Sequence, residues 1–469
     1  MEITFIQPRH NYAWEDWLWH IHLSSPLLSV KARLLAVLWN NQTIRFIDAN
    51  FENPNYQKLT WIVWVNLVWA PYIPEVIKII EQISENTTIL LWWQIISSLT
   101  DSEFQELFNK RGNVINWNVS DKLEELFNLE KWSITDVENV NLIEAYKDIG
   151  DEEMKEYLER EFSIYLSQWC KYNCSFCQAL KKKPEKYRDL SLFEGELLYL
   201  LERAESFWLK NLIFYLSNLD IFQTPDLFSQ FLDVIEKVTN TTDIKIQFRW
   251  LAWVDSFLSL YYNDQSLLVR AQKLWLTSVW YGIDWATPEV WKSIWKWQNF
   301  KWNSSIWWVW KYSEQEKAID TIKYTKELGI TPEVLMVFWH PWETNESLEK
   351  AYSFCKDMLE TYWALPRPHI SKTIIPWSDW WYKEQNQDLV RIFVDNPEYF
   401  QALDYTALPS ELTHPDKKIR NLARKWYKKI CALSPQSTQY IIPNTSEYQK
   451  IADRLGTTVE QMNKWKFDR

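Results

Sequence analysis

The sequence predicts an α/β protein: an N-terminal doubly wound, Rossmann-like parallel sheet, then a partial (β/α)6 barrel, then a helical C-terminal tail. Three observations predict it. Short apolar runs alternate with amphipathic helical patterns over residues 1–125. The alternation resumes as six strand–helix units over residues 161–382. At 469 residues the chain is long enough for two or three domains with full-sized cores. Residues 126–160 are acidic and helical in pattern and read as a bridge, and residues 383–469 read as the helical C-terminal region.

In the first region the order is ITFIQP (strand), LLSVKARLLAVL (helix), TIRFIDAN and IVWVNLVWAP (strands), PEVIKIIEQI (helix), TILLWWQ (strand) and DSEFQELFNK (helix). Strands separated by helices imply parallel pairing with helices on both faces. Ligands of such sheets bind beyond the carboxyl ends of the strands. Those ends carry Gln7-Pro8, Asp48-Ala49-Asn50, Asn66 to Ala70, and Trp92-Trp93-Gln94. The window Leu59 to Ile80 is apolar enough to raise a membrane span, but it holds Asn66, Pro71, Pro74 and Glu75. A short buried strand, a turn and a helix are expected there instead.

The second run starts with FSIYLSQ, which leads into a cysteine-rich loop. A helix over 191–208, the strand NLIFYLSN, a helix from Pro225 to Val238 and the strand IKIQFRW follow. Then come a helix over 266–274, the strand TSVWYGID, a helix over 313–328, the strand EVLMVFW, a helix from Asn345 to Leu359 and the strand HISKTIIP. Barrels of this kind place their chemistry at the carboxyl ends of the strands. The cysteine loop falls at that point of the first strand. In the tail, Lys417 to Lys429 reads as a solvated basic helix face. Gly456 followed by Thr457 to Glu460 reads as a helix stop and a capping box.

The composition is anomalous. There are 33 Trp and 6 Gly, where ordinary chains carry glycine at about 7%. Many tryptophans stand where a backbone needs glycine: Trp92-Trp93, Trp275 between a helix and a strand, Trp339 and Trp342 in FWHPWET, Trp377 and Trp380 in PWSDWW. Turns of that kind demand positive φ or close backbone approach. The expectation is a gene whose UGA codons mean glycine, translated with a code that reads them as tryptophan. The alternative is a Trp-rich binding protein with aromatic platforms for carbohydrate.

Cys170, Cys174 and Cys177 form a CxxxCxxC run with no histidine nearby. Structural zinc takes four protein ligands, whereas a [4Fe–4S] cluster can use three cysteines and keep its fourth iron open. The motif, with the aromatic Phe176 before the last cysteine, resembles that of the radical S-adenosylmethionine (SAM) superfamily. The resemblance implies that the amino and carboxylate groups of SAM fill the open iron, and that reductive cleavage of SAM gives a 5′-deoxyadenosyl radical. It further implies SAM contacts from strand-end segments: Phe176 in the cysteine loop; Ser217 and Asn218, in place of the usual Gly-Gly-Glu turn; Arg249 at the end of the next strand; Asp284 in YGID; and the backbone at Phe338, ahead of His340. The plainer alternatives are that Asp220 caps the next helix, Arg249 lies on the surface, Asp284 is a turn residue and His340 is structural.

The N-terminal region resembles the cobalamin-binding domain that precedes many radical SAM cores. That likeness implies a cobalamin site near Asp48, Asn66, Trp69, Trp92 and Trp93, although no DxHxxG motif supplies a lower-ligand histidine. With cobalamin bound, the resemblance implies radical methyl transfer to an unactivated carbon or phosphorus. An empty Rossmann-like domain and a different radical rearrangement stay open. So does tRNA methylthiolation, although that family carries further N-terminal cysteines and this chain has none before Cys170. The implied partners are a small-molecule or peptide substrate and an electron donor such as flavodoxin or ferredoxin. A net charge of −11 argues against a nucleic-acid backbone as partner. Cys355 and Cys431 leave no disulfide framework, no signal peptide is visible, and a reducing cytoplasm is expected.

Overall fold

In the computed structural model the chain divides into two compact units. The first comprises Met1–Tyr157, Gln387–Leu408 and Ile441–Arg469, and the second Leu158–Asn386 and Pro409–Tyr440. The structure describes residues 2–8, 23, 25–37, 43–52, 54–67, 72–92, 101–108, 114–116, 139–168, 170, 172, 174–175, 177, 185–284, 287, 290, 313–338, 343–370, 381–401, 409–414, 416–433 and 458.

The first unit is built on a five-stranded sheet of β1 (Glu2–Gln7), β2 (Thr43–Asp48), β3 (Ile62–Asn66), β4 (Thr88–Trp92) and β5 (Val114–Asn116), in the order β2-β1-β3-β4-β5. Every pairing is parallel. This is the doubly wound order whose switch point falls between β1 and β3. One face of the sheet packs Ile3, Phe5, Ile62, Trp64 and Leu90 against Leu27, Val30 and Leu34 of the Ser25–Val37 helix. Burial of each such side chain stabilises the unit by about 1.5–3 kcal/mol. The apolar window read as strand, turn and helix is β3 followed by the Ile73–Gln82 helix. No described helix is long and apolar enough to cross a membrane. The sequence reading missed β5, whose three residues are too few to show a period.

Part of the stretch read as a bridge belongs to this first unit. The Ile143–Tyr146 helix packs on the Ser25–Val37 helix. Lys31, fully buried, donates to the Ala145 carbonyl at 3.0 Å and pairs with Asp148 at 2.9 Å. Burial pulls the Lys31 pKa below its ordinary value, against the pull of Asp148. The tail is also shared between the units. The Gln387–Asp395 helix packs against the Asp101–Phe108 helix of the first unit, with Arg391 paired to Glu106. The Lys417–Leu433 helix instead packs on the Asn345–Tyr362 helix in the second unit. The reading of Lys417 to Lys429 as a solvated face holds for part of that helix only, because Ala423 and Ile430 are fully buried.

The second unit carries β6 (Glu161–Tyr165), β7 (Ser167–Gln168), β8 (Lys186–Tyr187), β9 (Asn211–Ser217), β10 (Lys245–Ala252), β11 (Leu276–Asp284), β12 (Thr331–Phe338) and β13 (Leu365–Ile370). Six of these form one parallel sheet in the order β13-β12-β11-β10-β9-β6. Its strands therefore run in chain order, each crossover returning to the neighbouring position. Burial alternates along β10, with Ile246, Phe248, Trp250 and Ala252 fully covered. Phe248 and Trp250 meet Phe222, Phe228 and Phe231 mostly edge to face, Phe228 and Trp250 at 5.7 Å. Such pairs add about 0.5–1.5 kcal/mol each beyond their buried area.

Two expectations change here. A helix over Val254–Asn263 precedes Gln265–Lys273, where the sequence reading had one helix over 266–274. The last strand is Leu365–Ile370 rather than HISKTIIP, most of which lies outside the described residues. Among the described residues β13 is an edge strand beside β12, where Pro366 and Pro368 are tolerated. The Gly456 to Glu460 reading lies outside the described residues apart from Thr458.

Among the described residues, five non-glycine residues have left-handed backbones, and four are tryptophan: Trp61 (φ 70°), Trp208 (60°), Trp275 (68°) and Trp363 (56°). All four indoles are exposed, Trp208 to 84%. Three of these residues follow helices that end at Ser206, Lys273 and Tyr362. The fifth left-handed residue is Asp284, at φ 63°.

Candidate cofactor sites at the strand ends

The carboxyl ends of β1, β2 and β3 bring Gln7, Asp48 and Asn66 to one edge of the first sheet, each buried. Asp48 is the centre of a donor cluster. Its Oδ1 accepts from the Asn50 backbone N–H at 2.8 Å and from Asn50 Nδ2 at 2.7 Å. Its Oδ2 accepts from Gln7 Nε2 at 2.9 Å and from the Tyr157 hydroxyl. Burial pushes the Asp48 carboxyl from 3.8 up to about 8, against the pull of the Asn50 donors. Of the other residues expected there, Trp92 ends β4, its side chain undescribed, and Trp69 and Trp93 lie outside the described residues. Tyr157, 109 residues from Asp48 in sequence, was not foreseen. This edge gathers amides around a buried carboxyl at a switch point, where open α/β sheets bind ligands, and these polar residue types are compatible with a large polar ligand such as cobalamin. The described residues name no histidine to it.

In the second unit the cysteine motif leaves the end of the first strand of the six-stranded sheet. The two-stranded ribbon of β7 and β8 pairs Ser167 with Tyr187 and Gln168 with Lys186, and so clips the base of the segment that holds Cys170, Cys174 and Cys177. Ser167 Oγ donates to Glu185 Oε1 at 2.6 Å across the same base. Burial pushes Glu185 up to about 8. Cys174 is buried, Cys170 and Cys177 are half-buried, and none of the three is in a disulfide. No three His, Cys, Asp or Glu side chains among the described residues converge as ligands of a single ion. The fit to a [4Fe–4S] cluster is thus one of donor set: three thiols on one clipped loop. Phe176, beside them, lies outside the described residues.

The other expected SAM residues distribute unevenly. Ser217 ends β9, and the buried Asn218 follows it. With its amide nitrogen toward the Leu216 carbonyl (3.1 Å) and its oxygen toward the Ile221 N–H (2.7 Å), Asn218 builds the turn after the strand. Asp220, fully buried, does not cap the next helix, which starts at Pro225. Its Oδ1 accepts from the Trp253 N–H at 3.1 Å and its Oδ2 from Ser256 Oγ at 2.5 Å, so it caps the Val254–Asn263 helix. Asp284 ends β11 with its left-handed backbone, a sparsely populated state that is common at ligand sites. Phe338 ends β12, its side chain undescribed, and His340 lies outside the described residues.

Arg249 differs from its expectation. β10 runs on to Ala252, so Arg249 sits inside the strand rather than at its end. It is not a surface residue. Its guanidinium donates to Ser278 Oγ at 3.0 Å, to Glu333 Oε1 at 3.0 Å and to Glu161, and it lies 4.8 Å from the centre of the Trp280 ring. Arg367 donates to the other Glu333 oxygen at 2.6 Å. Two carboxylates and two guanidiniums thus form a neutral layer across β6, β10, β12 and β13. Burial raises the pKa of Glu161, whereas at Glu333 the Arg367 and Arg249 charges outweigh burial and hold it low. Nε and both terminal nitrogens of Arg249 each donate to a protein group, and its charge is paired with two protein carboxylates. Sequence reasoning missed Glu161, Glu333 and Arg367. Their signal was an acid or base interrupting an otherwise apolar strand.

No family model and no curated relative matches the chain. Solved structures resemble it in fold. The cobalamin-dependent S-adenosylmethionine radical enzyme OxsB, with aqua-cobalamin and SAM bound, aligns at a TM-score of 0.54 and 13% identity over 85% of this chain. The radical SAM methyltransferase TsrM from Kitasatospora setae, with cobalamin and a [4Fe–4S] cluster bound, aligns at 0.51 and 14% identity over 81% of this chain. The alignment spans 56% of the OxsB chain and 73% of TsrM.

A carboxyl raised from 3.8 to about 8 by folding binds its proton more tightly in the folded state. Its contribution to stability is complete below about pH 4 and is lost as the pH rises through about 8. The first unit is therefore expected to lose stability across that window. Asp48→Asn should flatten the loss, as read by urea unfolding at about pH 5 and about pH 8. An unchanged slope in the variant would contradict the placement of Asp48.

Proposed function

We propose that the chain is a radical SAM enzyme with a cobalamin-binding first unit, and that it transfers a methyl group. The observation that carries this reading is the CxxxCxxC loop at the carboxyl edge of a sequentially ordered six-stranded parallel sheet, preceded by a doubly wound sheet of order 2-1-3-4-5. That sheet order fits a partial (β/α)6 barrel. The fold likeness to OxsB and TsrM supports the combination of units. In this reading Cys170, Cys174 and Cys177 would be the three protein ligands of a [4Fe–4S] cluster, leaving one iron for SAM. Bound and reduced, that cluster supplies the electron that cleaves SAM.

The chain's own residues then position and shield. Ser217 and Asp284 stand at strand ends on the same edge as the cysteine loop and are assigned to SAM. Phe176 is assigned to SAM, and the backbone at Phe338 to its adenine. The Glu161–Arg249–Glu333–Arg367 layer lies further back along the strands, and Arg249 is withdrawn from the SAM contacts. In the first unit, Gln7, Asp48 and Asn66, with Trp69, Trp92 and Trp93, border the cobalamin site. The substrate is taken to be a small molecule or peptide, and a flavodoxin or ferredoxin the electron donor. Work in a reducing cytoplasm follows from the thiol chemistry.

The test is anaerobic reconstitution with iron, sulfide and cobalamin, followed by reaction with SAM and a chemical reductant. The wild-type protein is expected to retain about four irons and stoichiometric cobalamin, and to release 5′-deoxyadenosine or S-adenosylhomocysteine. Cys174→Ala should lose the iron and both products. Retention of iron without cobalamin would overturn the methyl-transfer reading, and a protein that binds no iron would overturn the whole assignment.

A further inference from the structure

Tyr172 lies inside the cysteine motif, two residues after Cys170 and two before Cys174, yet it is buried to 3% exposure. Its hydroxyl is 2.7 Å from Ser256 Oγ. The single Ser256 hydroxyl hydrogen goes to Asp220 at 2.5 Å, so Tyr172 is the donor and Ser256 the relay. Asp220 also accepts the Trp253 N–H at the start of the Val254–Asn263 helix. The Tyr172 ring packs on Trp253 with centroids 4.5 Å apart. A second buried tie, Asp255 to Lys317 at 3.5 Å, fixes the same helix end to the Glu314–Glu327 helix. The chain Tyr172–Ser256–Asp220 therefore joins the middle of the cysteine loop to the segment just past β9, where Ser217 and Asn218 stand.

We propose that Tyr172 is a positioning residue: its hydroxyl, through Ser256 and Asp220, sets the spacing between the cysteine loop and the β9 end, the two walls between which SAM binds. The inference rests on the radical SAM reading above. Every link is a hydroxyl, a carboxylate or a backbone amide, so the Trp253 indole is not required for it. Burial makes the chain rigid, because water cannot replace a lost link. Outer-layer partners of metal ligands typically change affinity 10–100-fold when removed.

Tyr172→Phe and Ser256→Ala test it on the full chain with its cluster reconstituted. Each variant is expected to keep the wild-type iron content and melting temperature within a few degrees. Each should bind SAM roughly tenfold more weakly, read as the SAM-induced change in the electron paramagnetic resonance signal of the reduced cluster. The double variant should be no worse than either single one, since both cut the same chain. SAM titrations identical to wild type in both variants would overturn the proposal. A wild-type protein without iron would instead sink the cluster assignment on which it rests.

A separate observation carries a second inference. The Glu314–Glu327 helix is followed by Gly329 at φ 79°, with Ile330 N–H returning to the Thr325 carbonyl at 3.1 Å. The Leu190–Ser206 helix ends in the same way, with Trp208 in the glycine's place and Leu209 N–H returning to the Ala204 carbonyl at 3.0 Å. That closure wants glycine, because a left-handed backbone crowds any side chain. Trp275 and Trp363 occupy equivalent left-handed positions after their helices. We infer that these tryptophans are glycines in the native protein, their codon being read as glycine by the source and as tryptophan in this sequence. Tandem mass spectrometry of peptides from the native source decides it. Glycine at 208, 275 and 363 is expected, and tryptophan at those positions would overturn the inference.

Discussion

Parallel pairing constrains everything else in the second unit. Because β6, β9, β10, β11, β12 and β13 all run the same way, their carboxyl ends share one edge, and a group placed after any strand meets groups placed after the others. The cysteine loop follows β6, the Ser217 to Asp220 segment follows β9, and Asp284 and Phe338 end β11 and β12. Residues more than a hundred positions apart in the chain are thereby brought to one edge. The same constraint gathers Gln7, Asp48 and Asn66 in the first unit.

The two edges solve the cost of buried polarity differently. In the first unit four donors converge on Asp48, and burial still keeps the carboxyl neutral up to about pH 8. In the second, charge is kept but paired: Arg249 and Arg367 neutralise Glu161 and Glu333 across four strands. Removing one member of such a group leaves an uncompensated buried charge, typically a loss of about 3–5 kcal/mol. The layer forms a fixed polar floor beneath the strand ends rather than a set of free ligands. The pairing of Tyr172 with Ser256 and Asp220 belongs to the edge itself, because it links one strand-end segment to another.

Much of this was legible in the residues. The alternation of apolar strands and amphipathic helices located most of the strands, and the cysteine spacing marked the loop that the β7–β8 ribbon clips. The losses have physical causes. β5 is too short to carry a period, and β13 hides behind Pro366 and Pro368, which an edge strand accepts. Arg249 was placed at a strand end because the apolar pattern of β10 was cut short at Trp250, whereas the strand continues through Leu251 and Ala252. Asp220 looked like a local cap, but its partners are a helix start more than thirty residues on, and no sequence spacing signals such a contact. The glycine deficit was visible as composition, and the left-handed backbones at Trp208, Trp275 and Trp363 give it a conformational basis.

The central claim is a cluster with three protein thiolates and one iron left for SAM. Mössbauer spectroscopy of the protein reconstituted with isotopically enriched iron, with and without SAM, tests it most directly. The account predicts a cubane spectrum in which SAM shifts the signal of one iron and leaves the other three unchanged. A spectrum that SAM does not alter, or iron bound in some form other than a cubane, would contradict it.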